Sequence, residues 1–150
     1  MSQPKPTTPS TNLLLAKNEE IANVISHGCG FLGGLSAIPL LIQSGMESES
    51  TTSLVGNLVF GITGCLLYLC STLYHAFPPG PLKRTFRLFD HCAIYLFIAG
   101  SYTPFTLGIL GGVWGWSLIG LVWCLAIVGI GLKVFSFNRH SKLSLALYIG

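Results

Sequence analysis

Long stretches without a formally charged residue constrain this chain more than any other feature of its sequence. Asp, Glu, Lys and Arg are absent from residues 21–46, 50–82 and 91–132. A helix of about 20 apolar residues crosses the hydrocarbon core of a bilayer. The first two stretches each fit one crossing and the third fits two. Only 9% of the 150 residues are charged, well below the roughly one quarter usual in soluble domains.

The sequence therefore predicts an all-α fold, a polytopic transmembrane helix bundle. The four complete spans are placed at about residues 23–44, 54–77, 88–110 and 113–135, with Gly111 and Gly112 separating the last two and Pro39 and Pro104 as potential kinks. The apolar segment from Leu143 covers less than half a bilayer core, so we expect it to start a fifth helix. Residues 1–18, rich in Pro, Ser and Thr, are expected to be a flexible terminus, and residues 19–150 the transmembrane domain.

Basic residues alternate between the predicted connections. Two precede the first span, three (Lys83, Arg84 and Arg87) lie in the second loop, three lie in the fourth loop, and the first and third loops have none. Because Lys and Arg favour the cytoplasmic side, the pattern predicts a cytoplasmic N-terminus. The net charge of +3 is small and reflects this loop bias, so we expect no nucleic-acid partner.

Three polar residues near the second loop are the candidate site residues. Ser71 and His75 are four residues apart and share one face of the second helix. Asp90 lies about one turn inside the predicted third helix, at a depth similar to that of His75. A carboxylate within a span costs a few kcal/mol unless it finds a partner or water. The sequence therefore predicts a functional site in which His75 is the nearest partner of Asp90.

Other interpretations of these polar residues remain open. Asp90 could sit among hydrated headgroups, pair with Arg87, or simply favour the N-terminus of its helix. His91 is rotated by about 100° from Asp90 and is interpreted as a packing or hydrogen-bonding residue. His27 could approach the cluster, but it is interpreted as a satisfied interior histidine, and His140 as a solvated residue of a basic loop. One histidine and one aspartate do not make a zinc site, which needs three protein ligands when it is catalytic.

Three segments, EEIANVISHGCG, STLYHAFP and FDHCAIYLFIAGSYTPFTL, resemble the hemolysin III family, the bacterial branch of the progestin and adipoQ receptor superfamily. The resemblance runs from about Glu19 to the end of the chain. It implies seven transmembrane helices, a cytoplasmic N-terminus and a location in the bacterial inner membrane. It also implies a zinc ion with His75 as a metal ligand, Asp90 as the acidic residue that holds a zinc-bound water, and Ser71 as the polar residue beside them.

The resemblance also shows what this chain lacks. The other two zinc ligands of the superfamily come from a His-x-x-x-His motif in the last helix, and that motif is absent from this sequence. We therefore expect a partial domain that stops where the fifth helix of the family would start, with an incomplete site.

The resemblance implies two classes of function, and an inactive fragment is a third interpretation. One class is a zinc-site membrane hydrolase that acts on a lipid amide or ester. The other is a non-enzymatic pore-former, or cytolysin, or a regulator of membrane state. Both classes have membrane lipid as the partner, and the oligomeric state stays open.

Overall fold

The computed structural model describes the backbone of residues 9–149 and the side chains of residues 13–137. The chain forms four α-helices in the order α1 (Pro9–Glu47), α2 (Thr51–Ala76), α3 (Pro81–Pro104) and α4 (Gly112–Ile149), with a π-helical segment (Phe105–Leu110) that extends α3. No strand occurs between residues 9 and 149. The predicted all-α class is confirmed.

All four helices are long and apolar enough to cross a membrane. The candidate spans are Leu13–Glu47, Thr51–Ala76, Pro81–Leu110 and Gly112–Phe137. Large apolar side chains on them point outward: Ile109, Val113 and Trp114 are 78%, 82% and 80% exposed. A soluble monomer does not present apolar surface on this scale to water. The chain is therefore a multi-pass membrane protein.

The helices pack in chain order. α2 contacts both α1 and α3, while α4 contacts α3 and the π-helical segment. Among the described residues α1 and α4 do not contact each other, so the four helices form an open row. Because the connections are short, neighbouring helices run antiparallel. The C-terminal end of α2 and the N-terminal ends of α1 and α3 consequently lie at the same end of the row.

The chain turns between α1 and α2 within three residues. Glu49 has a positive φ of 51°, which reverses the chain direction. Ser50 then caps α2, since its Oγ accepts a hydrogen bond from the Ser53 N–H at 3.4 Å. Inside the spans, Gly30 of α1 faces the ring of Tyr68 of α2, where a Cβ atom would lie 2.7 Å away. This glycine therefore lets α1 and α2 pack closely.

The third span changes its helix type at Pro104. Proline lacks the N–H that an α-helix needs in its interior, and the chain continues as a π-helix from Phe105 to Leu110. Trp123 of α4 donates from Nε1 to Thr103 Oγ1 at 3.2 Å, which attaches α4 beside this transition.

Two glycines separate the third and fourth spans, as predicted. Gly111 has φ 58° and Gly112 has φ 53°, in the left-handed region that glycine reaches at low cost. The π-helical segment ends at Leu110 and α4 begins at Gly112. The break therefore falls at the predicted residues.

Three helix boundaries differ from the prediction. α1 begins at Pro9 rather than near residue 23, because residues 10–18 contain no further proline or glycine that would oppose a helix. Residues 9–18 of the segment expected to be flexible are thus helical, and residues 1–8 lie outside the described part. α3 begins at Pro81 rather than near residue 88, because proline is favoured in the first turn of a helix.

The third difference concerns α4. The charge pattern predicts a loop at residues 133–142 and a separate fifth helix after it, whereas the backbone is helical without interruption to Ile149. No proline or glycine occurs between Gly131 and Gly150, so nothing in the local sequence breaks the helix.

Candidate functional site

The local sequence brings the ends of α2 and α3 together. Pro78 and Pro79 follow the last turn of α2, and proline cannot continue a helix there. Only residues 77–80 connect the two helices. As a result, Lys83 in the first turn of α3 lies beside His75 in the last turn of α2.

Glu20 joins three helices at this end of the row. His75 donates from Nδ1 to Glu20 Oε2 at 2.7 Å, and Lys83 donates from Nζ to Glu20 Oε1 at 2.9 Å. The side chains of His75 and Lys83 are each 17% exposed, while Glu20 is 39% exposed. One partly solvated carboxylate from α1 therefore accepts hydrogen bonds from two largely buried groups of α2 and α3.

A second polar contact lies one helical turn farther from the end of α2. His27 Nδ1 and Ser71 Oγ share a hydrogen bond of 2.7 Å, and Ser71 is 6% exposed. The ring centroids of His27 and His75 are 5.6 Å apart. His27 is therefore a hydrogen-bonded interior histidine, as interpreted from the sequence, and it also belongs to the polar cluster formed by Glu20, His27, Ser71, His75 and Lys83.

Asp90 is not the partner of His75 within the described residues. Because α3 begins at Pro81, Asp90 lies about two and a half turns, or about 13 Å, into the helix instead of one turn. His75, by contrast, lies in the last turn of α2, next to the connection. The early start of α3 is the physical reason that the predicted pairing fails.

Asp90 has few polar partners, although its side chain is largely buried. Its side chain is 17% exposed, and its one ion-pair contact among the described residues is with His91 Nδ1 at 3.9 Å. Arg87, the alternative partner, forms no ion pair with Asp90 in the described part of the chain. His91 donates to the Arg87 carbonyl, which confirms it as a hydrogen-bonding residue. The side chain of His140 lies outside the described residues.

Two members of the polar cluster, Glu20 and Lys83, were not predicted as site residues from the sequence. A signal for Glu20 was available, because Glu20 and His27 are seven residues apart and occupy one face of a helix two turns apart. The role of Lys83 depends on the position at which α3 begins, which the charge pattern does not fix.

The described residues fit one zinc ligand but not a complete zinc site. No group of three or more His, Cys, Asp or Glu side chains among them is arranged to hold a metal ion, and a catalytic zinc takes three protein ligands. His75 is oriented so that it could be one of the three ligands. Its Nδ1 is bonded to Glu20, so Nε2 is the nitrogen that would bind a metal.

A cavity of about 680 Å³ opens beside the polar cluster. Its polar edge is formed by Glu20, His75 and Lys83, and its apolar wall includes Ile21 and Phe77. A mainly apolar cavity with a few convergent polar groups suits an amphiphilic ligand.

Four membrane-spanning helices with a polar cluster near one end define a class of integral membrane protein. Comparison with known proteins identifies the family. The sequence model of the family described as Haemolysin-III related matches residues 15–150, and this chain belongs to that family. The resemblance noted in the sequence is therefore confirmed.

Two relatives from Bacillus illustrate the similarity. The chain is 41% identical over 143 residues to Hemolysin-3 of Bacillus cereus, covering 95% of this chain and 65% of that protein. It is 43% identical over 131 residues to the Hemolysin-3 homolog of Bacillus subtilis (strain 168), covering 87% and 62%. The chain thus spans less than two thirds of the length of these relatives. No solved structure matches it significantly.

Proposed function

We propose that this chain carries part of the site of a zinc-dependent membrane hydrolase that acts on a lipid amide or ester. The hydrogen bond from His75 Nδ1 to Glu20 is the observation that supports the proposal most directly. A carboxylate on one imidazole nitrogen orients the other nitrogen for a metal and raises its basicity. His75 is one ligand, and the site is incomplete in this chain because two further ligands are needed.

We assign proton transfer to Asp90 from the family resemblance alone, since the carboxylate does not contact His75 among the described residues. Its largely buried carboxylate accepts no hydrogen bond from the described side chains, which leaves its oxygens available to a water molecule. A carboxylate positioned on an attacking water takes up its proton as a general base. Ser71 is assigned to positioning, since its Oγ holds His27 beside His75.

The cavity of about 680 Å³ beside the polar cluster supports a lipid as the substrate class. Its apolar wall suits an acyl chain, while Glu20 and Lys83 at its edge suit a polar headgroup. We propose a membrane lipid as the partner and a location in the bacterial inner membrane. The Lys and Arg distribution supports a cytoplasmic N-terminus, which would place the site near the inner leaflet.

Zinc content tests the metal part of the proposal. In a longer protein that supplies the two further ligands, we expect the wild type to contain zinc, His75→Ala to lose it, and Glu20→Gln to weaken zinc affinity about 10- to 100-fold because His75 is no longer oriented. Mass spectrometry measures the zinc content of the wild type and of His75→Ala. Titration with a chelator measures the zinc affinity of Glu20→Gln. His91→Ala is the matched control, because His91 bonds to a backbone carbonyl. Zinc-free wild-type protein, or unchanged zinc in His75→Ala, contradicts the proposal.

A second candidate function is a non-enzymatic pore-former or regulator of membrane state. The names of both relatives, Hemolysin-3 and Hemolysin-3 homolog, support it. Release of a dye from liposomes that contain the purified protein is the expected result. Liposomes that stay tight at increasing protein content would exclude pore formation.

A further inference from the structure

A second, smaller cavity lies where α2 ends and α3 begins. Its volume is about 320 Å³. Six residues from the last turns of α2, the connection and the first two turns of α3 line it: Tyr74, Pro79, Gly80, Lys83, Arg84 and Arg87. Half of this lining is cationic and none of it is acidic. We refer to it as the basic cavity.

The cationic charges in the basic cavity are not equally compensated. Lys83 is paired with Glu20 of the polar cluster. Arg84 and Arg87 are exposed and form no ion pair within the described part of the chain. They are three residues apart, so both side chains lie on one face of α3, and both line the basic cavity.

The location of the basic cavity is at the membrane surface. It lies between the ends of two candidate spans, Thr51–Ala76 and Pro81–Leu110, and this holds whichever way the chain is oriented. The exposed apolar side chains of Leu82 and Phe89 lie on the face of α3 opposite Arg84 and Arg87. The ammonium group of Lys83 lies 5.0 Å from the ring centroid of Tyr74, which fixes this wall of the cavity.

We propose that the basic cavity binds the phosphate group of an anionic phospholipid from the adjacent leaflet. The planar fork of arginine matches the geometry of phosphate oxygens, and basic pockets at the ends of membrane helices suit anionic headgroups. The position of the cavity between the ends of two candidate spans favours a lipid over free phosphate, because lipid headgroups are concentrated at that depth. This proposal goes beyond the hydrolase proposal and requires neither zinc nor hydrolysis.

The test uses the full chain in detergent, with Arg84→Gln/Arg87→Gln as the variant. Both side chains are exposed and without an ion-pair partner among the described residues, so the variant is expected to fold; circular dichroism verifies this. Equal amounts of phosphatidylglycerol and phosphatidylcholine are added, and native mass spectrometry counts the lipids retained. We expect the wild type to retain phosphatidylglycerol preferentially, and the variant to lose about tenfold in that preference, equivalent to about 1.4 kcal/mol.

Lys133→Gln/Arg139→Gln is the matched control, since it removes the same number of positive charges elsewhere in the chain. We expect it to keep the wild-type preference. An equal loss in this control would show diffuse attraction to the basic protein, and an unchanged preference in the arginine variant would show that the cavity binds no headgroup. Either result overturns the proposal.

A further arm of the experiment distinguishes the source of the phosphate. Inorganic phosphate is added to lipid-free wild-type protein and to the arginine variant, and thermal unfolding is followed. We expect inorganic phosphate to change the unfolding temperature of the wild type no more than that of the arginine variant. If inorganic phosphate stabilises only the wild type while phosphatidylglycerol is not retained, the cavity is a site for soluble phosphate and the lipid proposal is wrong.

Discussion

At the scale of single residues, Glu20 decides how the polar end of the molecule is held together. It is the only described carboxylate that accepts hydrogen bonds from two helices, through His75 and Lys83. Hydrogen bonds to a charged group contribute more than neutral ones, but partial solvent exposure reduces the gain. Its neighbour Glu19 is exposed and has no hydrogen-bond partner within the described residues. Two adjacent glutamates therefore have different roles.

This difference can be measured by removing one charge at a time. Glu20→Gln is expected to lower the free energy of unfolding by about 1 to 2 kcal/mol, because Lys83 loses its counter-charge while remaining largely buried. Glu19→Gln should change it by less than about 0.5 kcal/mol. Unfolding in mixed micelles by increasing sodium dodecyl sulfate content measures both. Equal effects of the two substitutions would show that Glu20 does not hold the helices.

At the scale of helices, α2 is the central element, because both α1 and α3 pack against it. Its contact with α3 is closest where Gly100 lies on Thr63, and a Cβ atom at position 100 would overlap the Thr63 side chain. Thr63 cannot turn away easily, since its Oγ1 donates to the Val59 carbonyl at 2.7 Å. Small residues at such crossings bring helix backbones together in the absence of a hydrophobic driving force between them.

Alanine substitution of two glycines tests this packing. Gly100→Ala is expected to destabilise the protein by about 1 to 3 kcal/mol through overpacking. Gly33→Ala, where no atom lies within 4 Å of the added Cβ, should be neutral or stabilising by up to about 1 kcal/mol through helix propensity. The same unfolding measurement serves here. A Gly100→Ala protein as stable as Gly33→Ala would show that α2 and α3 do not approach this closely.

At the scale of the whole molecule, the four spans alternate across the membrane in an open row. Glu47 ends α1 and Glu49 follows it with no basic residue nearby, whereas the first two turns of α3 carry three cationic residues. This asymmetry, and not the packing of the helices, favours one orientation. The polar cluster and the basic cavity share one end of the row, so a single measurement of orientation locates both.

Labelling of introduced cysteines tests the orientation. In intact cells, a membrane-impermeant thiol reagent is expected to label Glu49→Cys and to leave Arg84→Cys unlabelled until the membrane is opened. The five native cysteines lie in apolar segments, and the wild-type protein gives their background. The reverse labelling pattern would place the N-terminus and both cavities on the outer side.

The sequence by itself determined that this chain is helical and spans a membrane four times, because the length of an uncharged run and the placement of proline and glycine are local properties. Gly111 and Gly112 separate two spans for that reason. The partners of the polar groups depended on tertiary structure. His75 pairs with Glu20, 55 positions away in the chain, and not with Asp90. That choice follows from the start of α3 at Pro81, which the charge pattern does not fix, and from the packing of α1 on α2, which no local pattern specifies.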